Sequence, residues 1–280
     1  MEGITMRARK IKDVVLWLVL LLLMIVMIIP IVWTISNAFK STFDIMNHPF
    51  ALPTSLDFSN IIGAWKLANF SVFFFNTFFT TAMIVLLVIV IACPAAYIFA
   101  HLKFKGSDFL FYTLFLGLGI PNQTIIISVF YRMKAMGLLD SLWGFIFLMI
   151  GTEIPFSVFL MRNIYKDMPA ELRESAKIDG ASEWRTFLNI FFPLGKAGVM
   201  ALSVFTFIHA WNEYLYPLVL LLSPNKQVIS TAVISFKTSM TANYAYIFGA
   251  AVISLVPSII IYLLLQRSFI QGATAGATKG

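Results

Sequence analysis

Residues 14–35 read VVLWLVLLLLMIVMIIPIVWTI, a run without one charged side chain. Hydrocarbon about 30 Å thick takes about 20 consecutive apolar helical residues to cross. This stretch is therefore read as a membrane-spanning helix. Arg7, Arg9, Lys10 and Lys12 precede it, and a basic flank before an apolar run also describes a secretory signal peptide. The run is longer than a typical signal core and no small-x-small cleavage site follows, so a retained first helix is expected.

Working outward, the same pattern recurs along the chain. Further spans are expected at 76–100, with Pro94 inside, and at 109–131, interrupted by Gly117-Leu118-Gly119-Ile120-Pro121-Asn122-Gln123. The rest fall at 142–161, 197–222 and 244–265. Composition agrees, since 60% of the 280 residues are hydrophobic and only 12% are charged. A soluble domain carries about 25% charged residues to cover its surface. The expected fold class is all-α: a polytopic membrane protein of six transmembrane helices, forming one membrane domain over 1–280.

The distribution of Lys and Arg orients these spans. Fourteen of the 20 fall before the first span, at 101–108, in 162–196 or after the sixth span, whereas six lie in 36–75, 132–141 and 223–243. The positive-inside rule then puts both termini in the cytoplasm. The net charge of +7 has this origin, because no basic run with interleaved aromatics marks a nucleic-acid surface. The lone Cys93 has no partner for an internal disulfide and reads as a small apolar side chain.

The segment 162–196 is the longest cytoplasmic piece and carries charge of both signs. Pro169 suits a first helical turn. Ala170 to Lys177 are mostly good helix formers, with Glu171 and Glu174 early and Lys177 late, as the helix dipole favours. Gly180 is expected as a left-handed cap. Ser182 is expected to cap a second helix, on which Trp184, Phe187, Leu188 and Phe191 form an apolar stripe.

Glu174-Ser175-Ala176, three residues, Gly180, nine residues and Ile190-Phe191-Phe192-Pro193 resemble the EAA loop of bacterial ABC importer permeases. Ser175 stands for the family's second-position Ala and Phe192 for its Leu. Asp179-Gly180-Ala181-Ser182, Ala210-Trp211-Asn212-Glu213 and Gln266-Arg267-x-Phe269-Ile270-Gln271-Gly272 are similar to the carbohydrate (maltose-type) importers, and most to the smaller of their two permease subunits. The resemblance covers essentially the whole chain.

That resemblance implies a coupling helix at Glu174, Ser175, Ala176, Asp179, Gly180, Ala181, Ser182 and Pro193, docking in a cleft of a separate ATPase, with small Ala176 allowing close approach. It implies a second homologous permease subunit, two ATPase subunits that hold ATP and magnesium, an extracytoplasmic solute-binding protein, and residence in the bacterial inner membrane. It further implies that the tail, with Gln271, Gly272, Thr274 and Lys279, reaches the ATPases; an ordinary flexible terminus is the other reading of these small residues. The tail does not match a phosphate-binding loop, which needs Gly, four residues, then Gly-Lys-Ser/Thr. No cofactor is expected in this chain itself.

Polar groups inside spans are costly and tend to face a cavity or a bundle interior. Glu153 lies in span four, Asn122 and Gln123 follow Pro121, and His209, Asn212 and Glu213 share one helical face at offsets of three and four. They either line a pathway, hydrogen-bonding sugar hydroxyls, or join helices across the interface between permease subunits, or lie near the outer membrane face without touching substrate. No metal-ligand spacing accompanies His209. Phe70, Phe73, Phe74, Phe75, Phe78 and Phe79 fit lipid-facing packing better than sugar stacking. Neither G-x-S-x-G nor H-E-x-x-H occurs, so no catalytic residue is expected. Two alternatives stay open: a secondary transporter, and a permease for a non-sugar solute such as a glycerol-phosphate.

Overall fold

The computed structural model describes residues 2–102, 104–236 and 243–275, with side chains of 2–11, 235 and 264–275 left undescribed. Among the described residues the architecture is helical throughout. The helices are α1 (Glu2–Asn37), α2 (Thr42–Asn47), α3 (Ser59–Leu67), α4 (Phe70–His101), α5 (Ser107–Leu116), α6 (Asn122–Ala135), α7 (Leu142–Lys166), α8 (Glu171–Ile178), α9 (Glu183–Thr186), α10 (Phe192–Leu194), α11 (Lys196–Asn212), α12 (Leu215–Leu220), α13 (Ile229–Ala232) and α14 (Tyr244–Ala275). Short 3-10 turns cover Gly117–Gly119, Pro224–Lys226 and Val233–Phe236.

Four helical segments are long and apolar enough to cross a membrane: Lys12–Asn37, Phe70–His101, Leu142–Lys166 and Tyr244–Leu263. Two bent pairs bring the possible total to six. Ser107–Gly119 and Asn122–Ala135 meet at 103°, and Glu183–Leu194 meets Lys196–Asn212 at 77°. The interruption read from Gly117 to Gln123 is thus a sharp break rather than a continuous rod. Pro121 supplies no N–H and keeps the preceding residue extended, with Ile120 at ψ 112. The expected fifth span, 197–222, likewise divides into α11 and α12 at Glu213-Tyr214.

The chain divides into two compact units, Met1–Ala68 with Val233–Leu255, and Asn69–Ala232 with Val256–Gly280. In the first, α1 is exposed on every side from Lys12 to Val32, as a helix solvated by lipid must be. Its end is anchored by polar contacts. Buried Lys40 donates to Asn37 Oδ1 at 3.1 Å and to the carbonyls of His48 and Pro49, which satisfy its ammonium without a carboxylate. Trp33 donates to Pro49 O at 2.8 Å and meets Phe248 edge-on at 5.1 Å.

In the second unit, α4 and α7 make the most extensive helix pairing, and α11 packs on both. Ile84, Val88, Ala92 and Ala96 recur every four residues along α4 and are wholly buried, as are Ile146 and Met161 of α7. Small side chains at Ala92, Cys93 and Ala96 let the backbones approach closely, the usual device where lipid supplies no hydrophobic drive. The phenylalanine cluster of α4 splits. Phe70 and Phe73 are buried in this unit, whereas Phe74, Phe75 and Phe78 are exposed.

Candidate functional site

Two constructions in the second unit gather most of the polar residues singled out from the sequence. The first is a groove of about 490 Å³ between the broken α5–α6 pair, α7 and α11. Irregular backbone at membrane depth is tolerated where it lines a cavity, and the break at Gly117 to Pro121 forms one wall. Asn122, Glu153 and His209 also line it, joined by Phe156 and Phe205.

Glu153 is buried and lies 2.7 Å, Oε1 to Nδ1, from His209, whose side chain is 55% exposed. With the Glu153 carboxylate accepting, His209 Nδ1 carries the hydrogen and donates, which leaves Nε2 as the second polar atom of the ring, an acceptor when the ring is neutral and a donor when it is charged. One face of that ring lies on Phe205, with centroids 5.7 Å apart and planes at 16°. Phe205 in turn stacks on Phe156 at 4.3 Å. Hydrogen bond and stack together fix the imidazole, so Nε2 is held rather than free to swing.

The remaining candidates are placed elsewhere. Gln123 is exposed and does not line the groove. Glu213 does not share a helical face with His209. The helix ends at Asn212, and Glu213 is extended at φ −62, ψ 124, where its Oε1 accepts from Tyr216 N and caps the start of α12. Its carboxylate satisfies one orphan backbone donor of the next helix. Asn212 donates to Ile208 O, and Ser258 Oγ lies 3.5 Å from its Oδ1. Phe156 and Phe205 were missed in the sequence, although their offsets of three and four from Glu153 and His209 are the signal that could have found them.

The second construction is the 162–196 segment. After Ile178, Gly180 takes φ +76, Gly180 N donates to Lys177 O and Ala181 N donates to Ala176 O at 2.9 Å. This double bond pattern is the Schellman cap that a glycine permits. Ser182 Oγ then accepts from Arg185 N and starts α9. A π-helical turn, Phe187–Phe191, follows before Pro193. Pro193 lacks an N–H and its ring would crowd the Asn189 carbonyl, and the wider turn relieves both demands. The extra residue also splits the expected stripe: Phe187 and Phe191 are buried, while Trp184 and Leu188 are exposed.

Glu174, Ser175, Asp179, Gly180, Ser182 and Pro193 are exposed and Ala181 is half-buried. Ala176 differs from expectation: it is buried within the chain, so its small size serves internal packing and not an outside partner. Exposed Ile178 and Trp184 present apolar surface at the same tip. The segment is pinned from behind. Arg173 donates from both Nε and Nη2 to Glu183, at 3.1 and 2.5 Å, and Tyr97 of α4 donates its hydroxyl to Glu183 Oε2 at 2.8 Å. The bonded Arg173 guanidinium holds the Glu183 carboxyl below the usual range. Nothing in the sequence singled out Tyr97, which lies 86 residues away from its partner.

At the opposite end of α7, Asp140 takes φ 55 and ties the preceding turn to 222–226. Its oxygens accept from Leu222 N, Ser223 N, Ser223 Oγ and Lys226 Nζ. These donors, Ser223 Oγ foremost, hold its carboxyl well below the usual range. Of the tail residues, Gln271, Gly272 and Thr274 fall within α14, which runs past the expected Leu265 to Ala275. The side chains of Gln271 and Thr274, and all of Lys279, lie outside the described residues. Among the described residues, no cluster of His, Cys, Asp or Glu has metal-binding geometry.

Residues 88–273 match a family described as binding-protein-dependent transport system inner membrane component. The diacetylchitobiose uptake system permease protein NgcG of Streptomyces coelicolor is 29% identical over 93% of this chain and 87% of its own length. The glucose import system permease protein GlcU of Saccharolobus solfataricus is 30% identical over 94% of this chain and 95% of its own. The crystal structure of a bacterial ABC transporter involved in the import of the acidic polysaccharide alginate contains a chain of the same fold. Its TM-score is 0.81 at 23% identity, over 94% of this chain and 98% of that one.

Proposed function

This chain belongs to the binding-protein-dependent transport system inner membrane component family, and on that premise we propose that it forms half of the translocation pathway of an ATP-driven sugar or oligosaccharide importer. It is a non-catalytic permease subunit. Its relatives include permeases named for diacetylchitobiose and glucose, which supports a saccharide as cargo. Hydrolysis of ATP, with magnesium, belongs to two separate ATPase subunits. A second homologous permease supplies the other half of the path, and an extracytoplasmic binding protein delivers the solute.

The observation that carries the coupling role is the α8–α9 segment. It offers exposed Glu174, Ser175, Ile178, Asp179 and Trp184 around the Gly180 turn, while Arg173, Glu183 and Tyr97 fasten its back to α4. A tip of that kind can be pushed by a docked ATPase without bending away from the membrane helices. On this reading 162–196 and both termini lie in the cytoplasm, which the Lys/Arg distribution supports. The end of α14, with Gln271, Gly272, Thr274 and Lys279, would then extend toward the same ATPases. The groove at Asn122, Glu153 and His209 would line the path.

Uptake of radiolabelled saccharides by cells lacking this chain tests the proposal. Uptake is expected to vanish and to return with a plasmid copy. Undiminished uptake in cells that keep this chain but lack the ATPase subunits would instead support a secondary transporter.

A further inference from the structure

The groove wall carries more information than its place on a path, and the inference drawn from it rests on the permease reading above. Its lining residues include Glu153 and His209 but, among the described residues, no Lys or Arg. The one group able to carry positive charge is therefore already matched by a carboxylate 2.7 Å away. A ligand carboxylate entering here would meet the Glu153 carboxylate, with no guanidinium or ammonium to pair with. Burying an unpaired anion is far costlier than burying a hydroxyl that finds a partner.

What the wall does offer suits hydroxyl groups. His209 Nε2 has no protein partner among the described residues and is held in place by the Nδ1–Glu153 bond and the Phe205 stack, and a sugar hydroxyl can serve it as donor or as acceptor. The Asn122 amide, half-buried at the start of α6, offers both a donor and an acceptor. Leu118, Ile120, Pro155 and Phe156 supply apolar surface for the C–H face of a sugar ring. At about 490 Å³ the groove lies within the size range of small-ligand sites, roughly 300–1,000 Å³.

We propose that this groove is a direct contact site for an uncharged saccharide unit, whose hydroxyls hydrogen-bond His209 Nε2 and the Asn122 amide. The site excludes acidic sugar units for want of a free cation. It makes this subunit a participant in selecting the cargo, and not only a wall of the path.

The test uses the complete transporter, purified with its co-encoded subunits and reconstituted in vesicles with ATP and saturating binding protein. Radiolabelled cellobiose, maltotriose, lactose and diacetylchitobiose serve as uncharged probes and an alginate trisaccharide as the acidic one. Uptake of an uncharged probe and exclusion of the acidic one are expected. For the probe carried, His209→Ala and Asn122→Ala are each expected to raise the half-saturation concentration about tenfold, the value of one lost hydrogen bond. His209→Gln, which restores a hydrogen-bonding group, is expected to recover part of the loss. His209→Ala also strips the buried Glu153 carboxylate of its partner, so Asn122→Ala, which leaves that pair intact, reads the site independently. Efficient uptake of the alginate trisaccharide, or unchanged half-saturation in both alanine variants, overturns the proposal. Uptake by the wild type that ignores ATP would instead overturn the permease reading beneath it.

Discussion

Gly180 offers the cleanest way to perturb coupling, because its replacement changes the backbone and nothing else. It sits at φ +76, and a Cβ there would meet no atom within 4 Å. Crowding is therefore absent, and the whole effect is the cost of holding an L-residue in the left-handed region. That cost is about 1–2 kcal/mol. A change of 1 kcal/mol lowers the ratio of native to relaxed turn about fivefold, and 2 kcal/mol about thirtyfold. The Ala181–Ala176 and Gly180–Lys177 bonds close only while this φ is kept, so relaxing it swings α9 relative to α8. Asn tolerates the left-handed region better than other non-glycine residues. Uptake per ATP hydrolysed in reconstituted vesicles is expected to fall in the order Gly, Asn, Ala, Val. The valine should lie lowest while protein levels in the membrane hold. A Gly180→Val transporter as tightly coupled as the wild type would refute the reasoning.

Three further outcomes follow from the geometry. Gly144→Ala places a Cβ 2.2 Å from the Leu138 carbonyl oxygen, a backbone atom in a turn tied down through Asp140, and is expected to cost about 1–3 kcal/mol. Melting in detergent reads this, with Gly151→Ala, where nothing lies within 4 Å, keeping its melting temperature. Asp140 has a folded-state pKa below its unfolded value near 4. Its stabilisation is thus complete above that value and is lost as pH falls below it. Asp140→Asn is expected to lower the melting temperature at pH 7 and to flatten its acid dependence. Tyr97→Phe removes the hydroxyl that Glu183 accepts from α4, worth about 0.5–1.5 kcal/mol. It is expected to lower uptake per ATP with little change in melting, and unaltered coupling would show that the Glu183 link carries no motion.

Local chemistry was legible where one short window holds both the cause and its result. Residues 14–35 announce a lipid-solvated helix, and Gly180 with Ser182 announces a turn and a cap, because these depend on neighbours in sequence. The break at Gly117 to Gln123 was visible for the same reason, but its 103° bend was not, since angle is set by packing. Glu213 was assigned to a helical face it leaves, because the extended backbone after Asn212 answers to capping of α12. Ala176 was read as a contact for a partner, yet side-chain direction on α8 follows what lies behind it. The pairing of Glu153 with His209 joins positions 56 apart, and Tyr97 with Glu183 joins positions 86 apart. Both needed the helix packing to be known before either could be seen.

The most direct measurement of the central claim is ATP hydrolysis by the assembled transporter with solute-loaded binding protein, compared with uptake by this chain reconstituted alone. Loaded binding protein is expected to stimulate hydrolysis in the assembly, with sugar accumulating only there. Sugar accumulation by this chain alone, with no ATPase present, would contradict the account.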